Sequence, residues 1–223
     1  MKTVLITGIN KGIGKALAKK FLQGGYFVIG TYKDGNIDFN NENLKAFQLD
    51  LSNSVSIEDC IKSIHAFDRK IDIHINNAGV LLDEEETSIS IDKLRKTLEI
   101  NLIGTSNFSE RMIIDINNGG HLIFISSSAG SLEEVPTESH SLGHYPAYKI
   151  SKCALNMYMR TLVMRLKDKI KVSSIHPGWV RTDMGGEEAP ISPEEAAEYI
   201  FNTAVDDDIE TGQFWFKGEK YPW

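Results

Sequence analysis

Thr3-Val4-Leu5-Ile6-Thr7-Gly8-Ile9-Asn10-Lys11-Gly12-Ile13-Gly14 takes a short apolar run straight into a glycine turn, and the turn into a segment with helical spacing at Ile13, Ala16, Leu17 and Phe21. Glycines there allow a tight turn, let the backbone approach a pyrophosphate and bring helix close to strand. The helix N-terminus adds free N–H groups and positive potential. The spacing Gly-x-x-x-Gly-x-Gly differs from Gly-x-Gly-x-x-Gly. It differs also from the phosphate loop ending in Gly-Lys-Ser/Thr, because Ile13 and Gly14 follow Gly12. An ATPase is therefore disfavoured; taken alone, the turn is open between a dinucleotide cradle and a plain strand-to-helix connection.

Further runs at Tyr26 to Tyr32, Ala46 to Leu49, Ile71 to Ile75, His121 to Ser126, Ile170 to Ile175 and Phe214 to Phe216 read as strands. Several are apolar on both faces, as in a covered parallel sheet. Helical stripes lie between them: Val55, Ile57, Cys60, Ile61 and Ile64; Leu94, Leu98, Ile100, Leu102 and Ile103; Ala154, Leu155, Tyr158, Leu162 and Leu166. The repeated alternation predicts a doubly wound, Rossmann-type α/β fold with helices on both faces of a parallel sheet. Ser192-Pro193-Glu194-Glu195 predicts a capping box and a helix running to about Ala204. The polar stretch 131–145 reads as a loop.

At 223 residues and 41% apolar content the chain suits one domain spanning 1–223. A net charge of −7 with interspersed signs gives no footprint for nucleic acid or an anionic membrane, so neither is expected as a partner. The opening residues are too short an apolar run for a signal peptide or a span. Cys60 and Cys153 form no Cys-x-x-Cys motif and suit packing in a reduced compartment, with the cytoplasm as the default. His140 and His144 lack an evident third ligand, so no metal is expected.

Tyr148 and Lys152 stand four residues apart, on one face if helical. At about 6 Å and an effective dielectric of about 20, the ammonium favours phenolate by roughly 3 kcal/mol, bringing the phenol from ~10 toward ~8. Such a pair is suited to proton transfer near neutral pH; its other reading is an ordinary exposed helix pair.

Thr-Gly-x-x-x-Gly-x-Gly at 7–14, Asn76-Asn77-Ala78-Gly79, Asn101, Ser127, Tyr148 with Lys152, and Pro177-Gly178 with Thr182 together resemble the short-chain dehydrogenases/reductases over essentially the whole chain. Thr182-Asp183-Met184-Gly185-Gly186 and the ending Tyr221-Pro222-Trp223 resemble the C-factor and sniffer-type carbonyl reductase branch. The resemblance implies hydride transfer between a nicotinamide cofactor and a small-molecule carbonyl or alcohol. In it Tyr148 is the general acid or base, and Lys152 lowers the Tyr148 pKa and binds the nicotinamide ribose. Ser127, three residues before Gly130, holds the substrate oxygen, and Asn101 holds a water linking Lys152 to solvent.

Cofactor contacts implied in the same way are Gly8, Asn10, Lys11, Gly12, Ile13 and Gly14 at the turn, with Asp50 and Leu51 at the adenine. Asn77, Ala78 and Gly79 would line the adenosine side, and Pro177, Gly178, Val180 and Thr182 the nicotinamide and pyrophosphate. Lys33, at the end of the second strand beside Lys11, favours NADP(H); NAD(H) stays possible if Asp34 does the selecting. Trp179 is open between core and other roles. Family members associate through the helices that here contain Asn101 and Tyr148, so Met157, Met159, Val163 and Met164 suggest a homodimer or homotetramer. Two departures stand out: the 131–145 loop is long and is expected to border the substrate site, and the segment after Thr182 is short. A cofactor-sensing or C-factor-like signalling role is the alternative function, and a methyltransferase on a similar sheet has no use for the Tyr–Lys pair.

Overall fold

The computed structural model describes residues 1–135, 144–166 and 169–223. The opening run forms β1 (Thr3–Ile6), wholly buried between β2 (Phe27–Tyr32) and β4 (Ile71–Asn76), with β3 (Leu44–Gln48) outside β2. The order is β3-β2-β1-β4-β5-β6-β7-β8, completed by β5 (Ile116–Ile125), β6 (Ile170–Ile175), β7 (Phe214–Phe216) and β8 (Glu219–Lys220). All neighbours pair in parallel except β7 with β8. The chain reverses its direction of winding between β1 and β4, the kind of crevice where α/β sheets bind ligands.

Helices cover both faces. α1 (Gly12–Gln23) and α6 (Pro193–Val205) bury Leu17, Phe21, Ala196 and Ile200 against Val4, Ile6, Ile75 and Ile123. On the opposite face α2 (Ser54–Ala66), α4 (Thr105–Met112) and α5 (Pro146–Leu166) supply Ile57, Ile61, Phe108, Leu155 and Met159 against Leu5, Ile29 and Leu122, and α3 (Ile91–Leu98) packs beside α5. The Ser192 hydroxyl accepts from the Glu195 N–H at 3.1 Å, while the Glu195 carboxylate accepts from the Ser192 N–H at 2.8 Å, so the predicted capping box forms. Cys60 packs in the core, where burial pushes its thiol up to about 12.

The structure corrects several expectations. Val55 is 64% exposed, because Asn53 caps α2 by accepting from the N–H groups of Val55 and Ser56 and the helix starts with Val55 turned out. Strand β8 was not expected: two charged residues carry no periodicity, and the strand forms only because Lys217 and Gly218, both at positive φ, turn the chain back onto β7. Of the stripe Leu94, Leu98, Ile100, Leu102 and Ile103 no member is fully buried: Ile100 packs half-buried against the core and Ile103 is exposed. Thr97, Asn101, Gly104, Thr105 and Phe108 point inward instead. A π-helical turn at Glu99–Gly104 joins α3 to α4 and rotates the faces. Gly104 lies so close to β3's exit that an added Cβ would stand 1.9 Å from the Leu51 carbonyl oxygen. Met159 is fully buried, whereas Met157 and Met164 are exposed on α5.

Candidate active site

Every loop leaving the carboxyl edge of β1 to β6 contributes to one cleft of about 730 Å³. Gly8, Asn10, Lys11, Gly12, Ile13 and Gly14 line one wall, Lys33, Asp50 and Leu51 continue it, and Asn77, Ala78 and Gly79 form the floor. Tyr148, Lys152, Pro177 and Thr182 close the far side. Val180 is buried behind this surface and Gly178 turns at φ 77°, so those two shape the cleft through backbone rather than side chain.

The glycine turn fits a pyrophosphate. Lys11 precedes α1 without a side-chain cap and the first turn carries no acidic residue, which leaves its N–H groups and positive end free for an anion. A Cβ at Gly14 would sit 2.0 Å from the Gly8 carbonyl oxygen, so the turn closes only on hydrogen. Asn77 locks it from below by donating to the Thr7 and Gly8 carbonyls at 2.9 and 3.3 Å. The Thr7 hydroxyl accepts from the N–H groups of Asn77 and Ala78, each at 3.0 Å. Both candidate phosphate lysines are paired in this state: Lys11 with Asp183 at 2.6 Å and Lys33 with Asp50 at 3.1 Å. Asp34 is exposed beside them and its carbonyl accepts from Asn10 at 3.2 Å.

At the other end, residues from four segments converge. Lys152 donates to the Ile125 carbonyl at 2.8 Å and its ammonium lies 5.5 Å from the Tyr148 ring centre. Asn101 sits in the π turn. Its Oδ1 accepts from the Val80 N–H at 2.8 Å, and its Nδ2 donates to the Val80 carbonyl at 2.9 Å and to Ser151 at 3.0 Å. A Cβ on Gly79 would lie 3.2 Å from Asn101 Oδ1 and 3.6 Å from the Lys152 ammonium, which shows how tightly the two approach the floor. Ser127 stands one residue beyond the buried Ser126, and its hydroxyl accepts from the Ala129 N–H at 3.1 Å. It also acts on the Tyr148 hydroxyl as a hydrogen-bond partner. Ser126 lines the cleft with a hydroxyl that makes no hydrogen bond among the described residues.

The expected acidification of Tyr148 by Lys152 does not hold in this state. Burial raises the phenol to about 12, with only the Ser127 contact opposing it. Lys152 is itself desolvated, which lowers it to about 8, and its ammonium donates to the Ile125 carbonyl. Withdrawing the phenolate from water outweighs the Coulombic gain taken alone.

The family model for short chain dehydrogenase matches residues 2–191. The chain belongs to that family. It is 30% identical over 203 residues, 88% of each chain, to a 1-hydroxy-2-glutathionyl-2-methyl-3-butene dehydrogenase of Rhodococcus sp. strain AD45. In three dimensions it is similar to the carbonyl reductase Sniffer of D. melanogaster, with a TM-score of 0.87 at 26% identity over 100% of both chains. A chicken fatty-liver carbonyl reductase with bound NADPH gives 0.89 at 23% identity, covering 100% of this chain and 94% of the other.

Residues of this short-chain dehydrogenase that escaped the sequence reading include His176 and Tyr199. His176 accepts at Nδ1 from the N–H groups of Ser128 and Gly178, at 3.2 and 3.3 Å, and so ties the turn after β5 to the turn after β6. Tyr199 on α6 donates to the Pro177 carbonyl. His176 directly precedes Pro177-Gly178, and that adjacency was the available signal; Tyr199 lies 22 positions from its partner and gave none. Trp179 is not core: it is 57% exposed and donates to the Gly185 carbonyl at 2.6 Å. Most of the 131–145 loop, His140 included, lies outside the described residues. His144 is exposed. Among the described residues no group of His, Cys, Asp or Glu could hold a metal, and no helix is long and apolar enough to cross a membrane.

Proposed function

We propose that the chain is an NADP(H)-dependent reductase of small-molecule carbonyl compounds, in which Tyr148 donates the proton. A bound nicotinamide would supply the hydride. The observation that carries the reading is the placement of the Tyr148 phenol, facing Ser127 and beside Lys152, in the same cleft as the uncapped start of α1.

The glycine turn and α1 would hold the pyrophosphate, Asn77 to Gly79 would line the adenosine side, and Lys152 with Pro177, Gly178, Val180 and Thr182 would hold the nicotinamide half. Ser127 would donate to the substrate oxygen and stabilise the negative charge that grows there. Tyr148, kept protonated by burial far above neutral pH, would then hand that oxygen a proton, which supports reduction as the working direction. Asn101 fixes Val80 and Ser151, and through them the floor beneath Lys152.

Preference for the 2′-phosphate rests on Lys33 and Lys11. Lys11 has an exposed carboxylate partner and Lys33 a half-buried one to exchange for a phosphate dianion, and two charge-assisted contacts would favour NADP(H) over NAD(H). The free thiols Cys60 and Cys153 fit a reducing compartment such as the cytoplasm. Exposed Met157 and Met164 on α5 support association into a homodimer or homotetramer.

The test is oxidation of NADPH, and separately of NADH, with a panel of aldehydes, ketones and quinones. Turnover is expected with NADPH and at least one carbonyl, falling about 10²- to 10⁴-fold in Tyr148→Phe while NADPH binding persists. Unchanged turnover in that variant would remove Tyr148 as the acid.

A further inference from the structure

Asp83 belongs to none of the motifs above, yet it is a buried carboxylate, 1% exposed, in the segment between β4 and α3. One oxygen accepts from the Ala147 N–H at 2.6 Å across 64 positions of sequence, and the other has no hydrogen-bond partner among the described residues. Ala147 lies in the first turn of α5, immediately before Tyr148. Tyr145, which leads into that turn, has φ 26°, a left-handed conformation that a bulky residue holds only under constraint, and Pro146 restricts it further. No Ser, Thr, Asn or Asp stands at position 145 to cap the helix locally. The start of α5 is therefore strained and seated from a distance.

We infer that Asp83 is a positioning residue, whose carboxylate seats the start of α5 so that the Tyr148 phenol keeps its place opposite Ser127. The geometry is a closed loop of contacts. Three residues before Asp83, Val80 is held by Asn101 through both its N–H and its carbonyl. Asn101 also donates to Ser151, whose hydroxyl donates to the Tyr148 carbonyl at 2.8 Å. The 80–83 segment thus holds α5 at points on either side of Tyr148. A neutral Ser or Asn would satisfy the Ala147 N–H without burying an unpartnered charged oxygen. The carboxylate adds a shorter, charge-assisted bond to the positive end of the helix, which can hold the strained turn.

The inference rests on the reductase reading for its kinetic consequence, so the experiment has two arms. Asp83→Ala and Asp83→Asn are compared with wild type by steady-state kinetics and by amide hydrogen exchange of the full-length chain. Asp83→Ala is expected to lower kcat about 10- to 100-fold, as for a misplaced catalytic group, with the NADPH Kd within about twofold. Exchange should accelerate at the start of α5 and not in α1 or the central strands. Asp83→Asn keeps an acceptor oxygen and should regain most of the lost kcat. The inference is overturned by a kcat within about twofold of wild type in Asp83→Ala. It is overturned equally by faster exchange spread over the whole chain, or by Asp83→Asn behaving no better than Asp83→Ala. Where Asp83→Ala fails to fold, Asp83→Asn carries the test. A kcat lowered about threefold with faster exchange confined to the start of α5 supports the inference, and wild-type behaviour overturns it. Absent turnover in wild type, or full turnover in Tyr148→Phe, defeats the reductase reading instead, and the exchange arm still decides whether Asp83 anchors α5.

Discussion

The two ends of the cleft are built by opposite means. At the glycine turn the cleft wall is largely backbone, and Gly14 would put a Cβ 2.0 Å from the Gly8 oxygen, so the shape follows from what is missing. At the proposed reacting end the polar groups are side chains: Tyr148 and Lys152 from α5, Ser127 from the turn after β5 and Asn101 from the π turn, held by buried polar contacts such as Asn101 to Val80 and Lys152 to Ile125. A backbone site tolerates changes around it but not a methyl within it. A site of side chains loses geometry through any one of its supports.

The sharpest way to break the comparison is Lys152→Met, which removes a charge from the reacting end and touches nothing in the glycine turn. It should lower kcat about 10²- to 10³-fold while leaving the overall fold intact, checked by single-turnover kinetics and circular dichroism. A kcat near wild type would mean that the ammonium serves only packing. A smaller effect is expected at the backbone end from Lys33→Glu. Losing one charge-assisted contact and gaining repulsion should weaken NADPH binding about 10- to 100-fold, with NADH affinity unchanged or improved. The Asp50 carboxylate, 3.1 Å from Lys33, would be left beside a like charge, which adds to the repulsion. Equal loss for both nucleotides would assign the selection elsewhere, with Asp34 next in line. Gly104→Ala tests neither end directly but the helix that carries Asn101. Its Cβ meets the Leu51 carbonyl oxygen at 1.9 Å, so stability should fall by about 1–3 kcal/mol in urea unfolding.

The same contrast explains what the sequence made legible. Glycine spacing reports backbone geometry directly, so the turn at Gly8 to Gly14 and the strands flanking it read correctly, as did the Ser192 capping box. Parallel strands were legible because burial on both faces leaves continuous apolar runs. The helix pair α3–α4 was not, since a π turn shifts the phase and puts Thr97 and Asn101 inside while Ile103 faces outward. Hydrophobic periodicity assumes an uninterrupted 3.6-residue repeat. His176, Tyr199 and Asp83 were hidden for another reason: each bonds a backbone atom of a segment distant in sequence, Ser128, Pro177 and Ala147 respectively, and only His176, beside Pro177-Gly178, stood next to a motif. The acidity of Tyr148 was misjudged because pair spacing gives the Coulombic attraction and says nothing of desolvation, which dominates here.

That reversal leads to the mildest prediction, a pH dependence. Lys152 is lowered by burial to about 8, below the ~10.4 of an unfolded lysine. Between those values the unfolded chain holds a proton that the folded chain lacks, so the contribution of this group to stability rises with pH from about 8 upward. Tyr148 behaves oppositely: raised to about 12, it keeps its proton where the unfolded phenol near ~10 loses one, and its contribution falls only above about pH 10. From pH 7 to 9.5 the melting temperature of wild type should therefore gain relative to Lys152→Met, measured in parallel scans. Catalysis should move the other way. The kcat/KM for carbonyl reduction, which reports the free enzyme, should halve near pH 8 as Lys152 loses its charge. Tyr148 remains protonated throughout that range. A profile flat to pH 10 would show that the ammonium charge is dispensable, and the reacting end would then work through the shape of its hydrogen bonds, much as the glycine turn does.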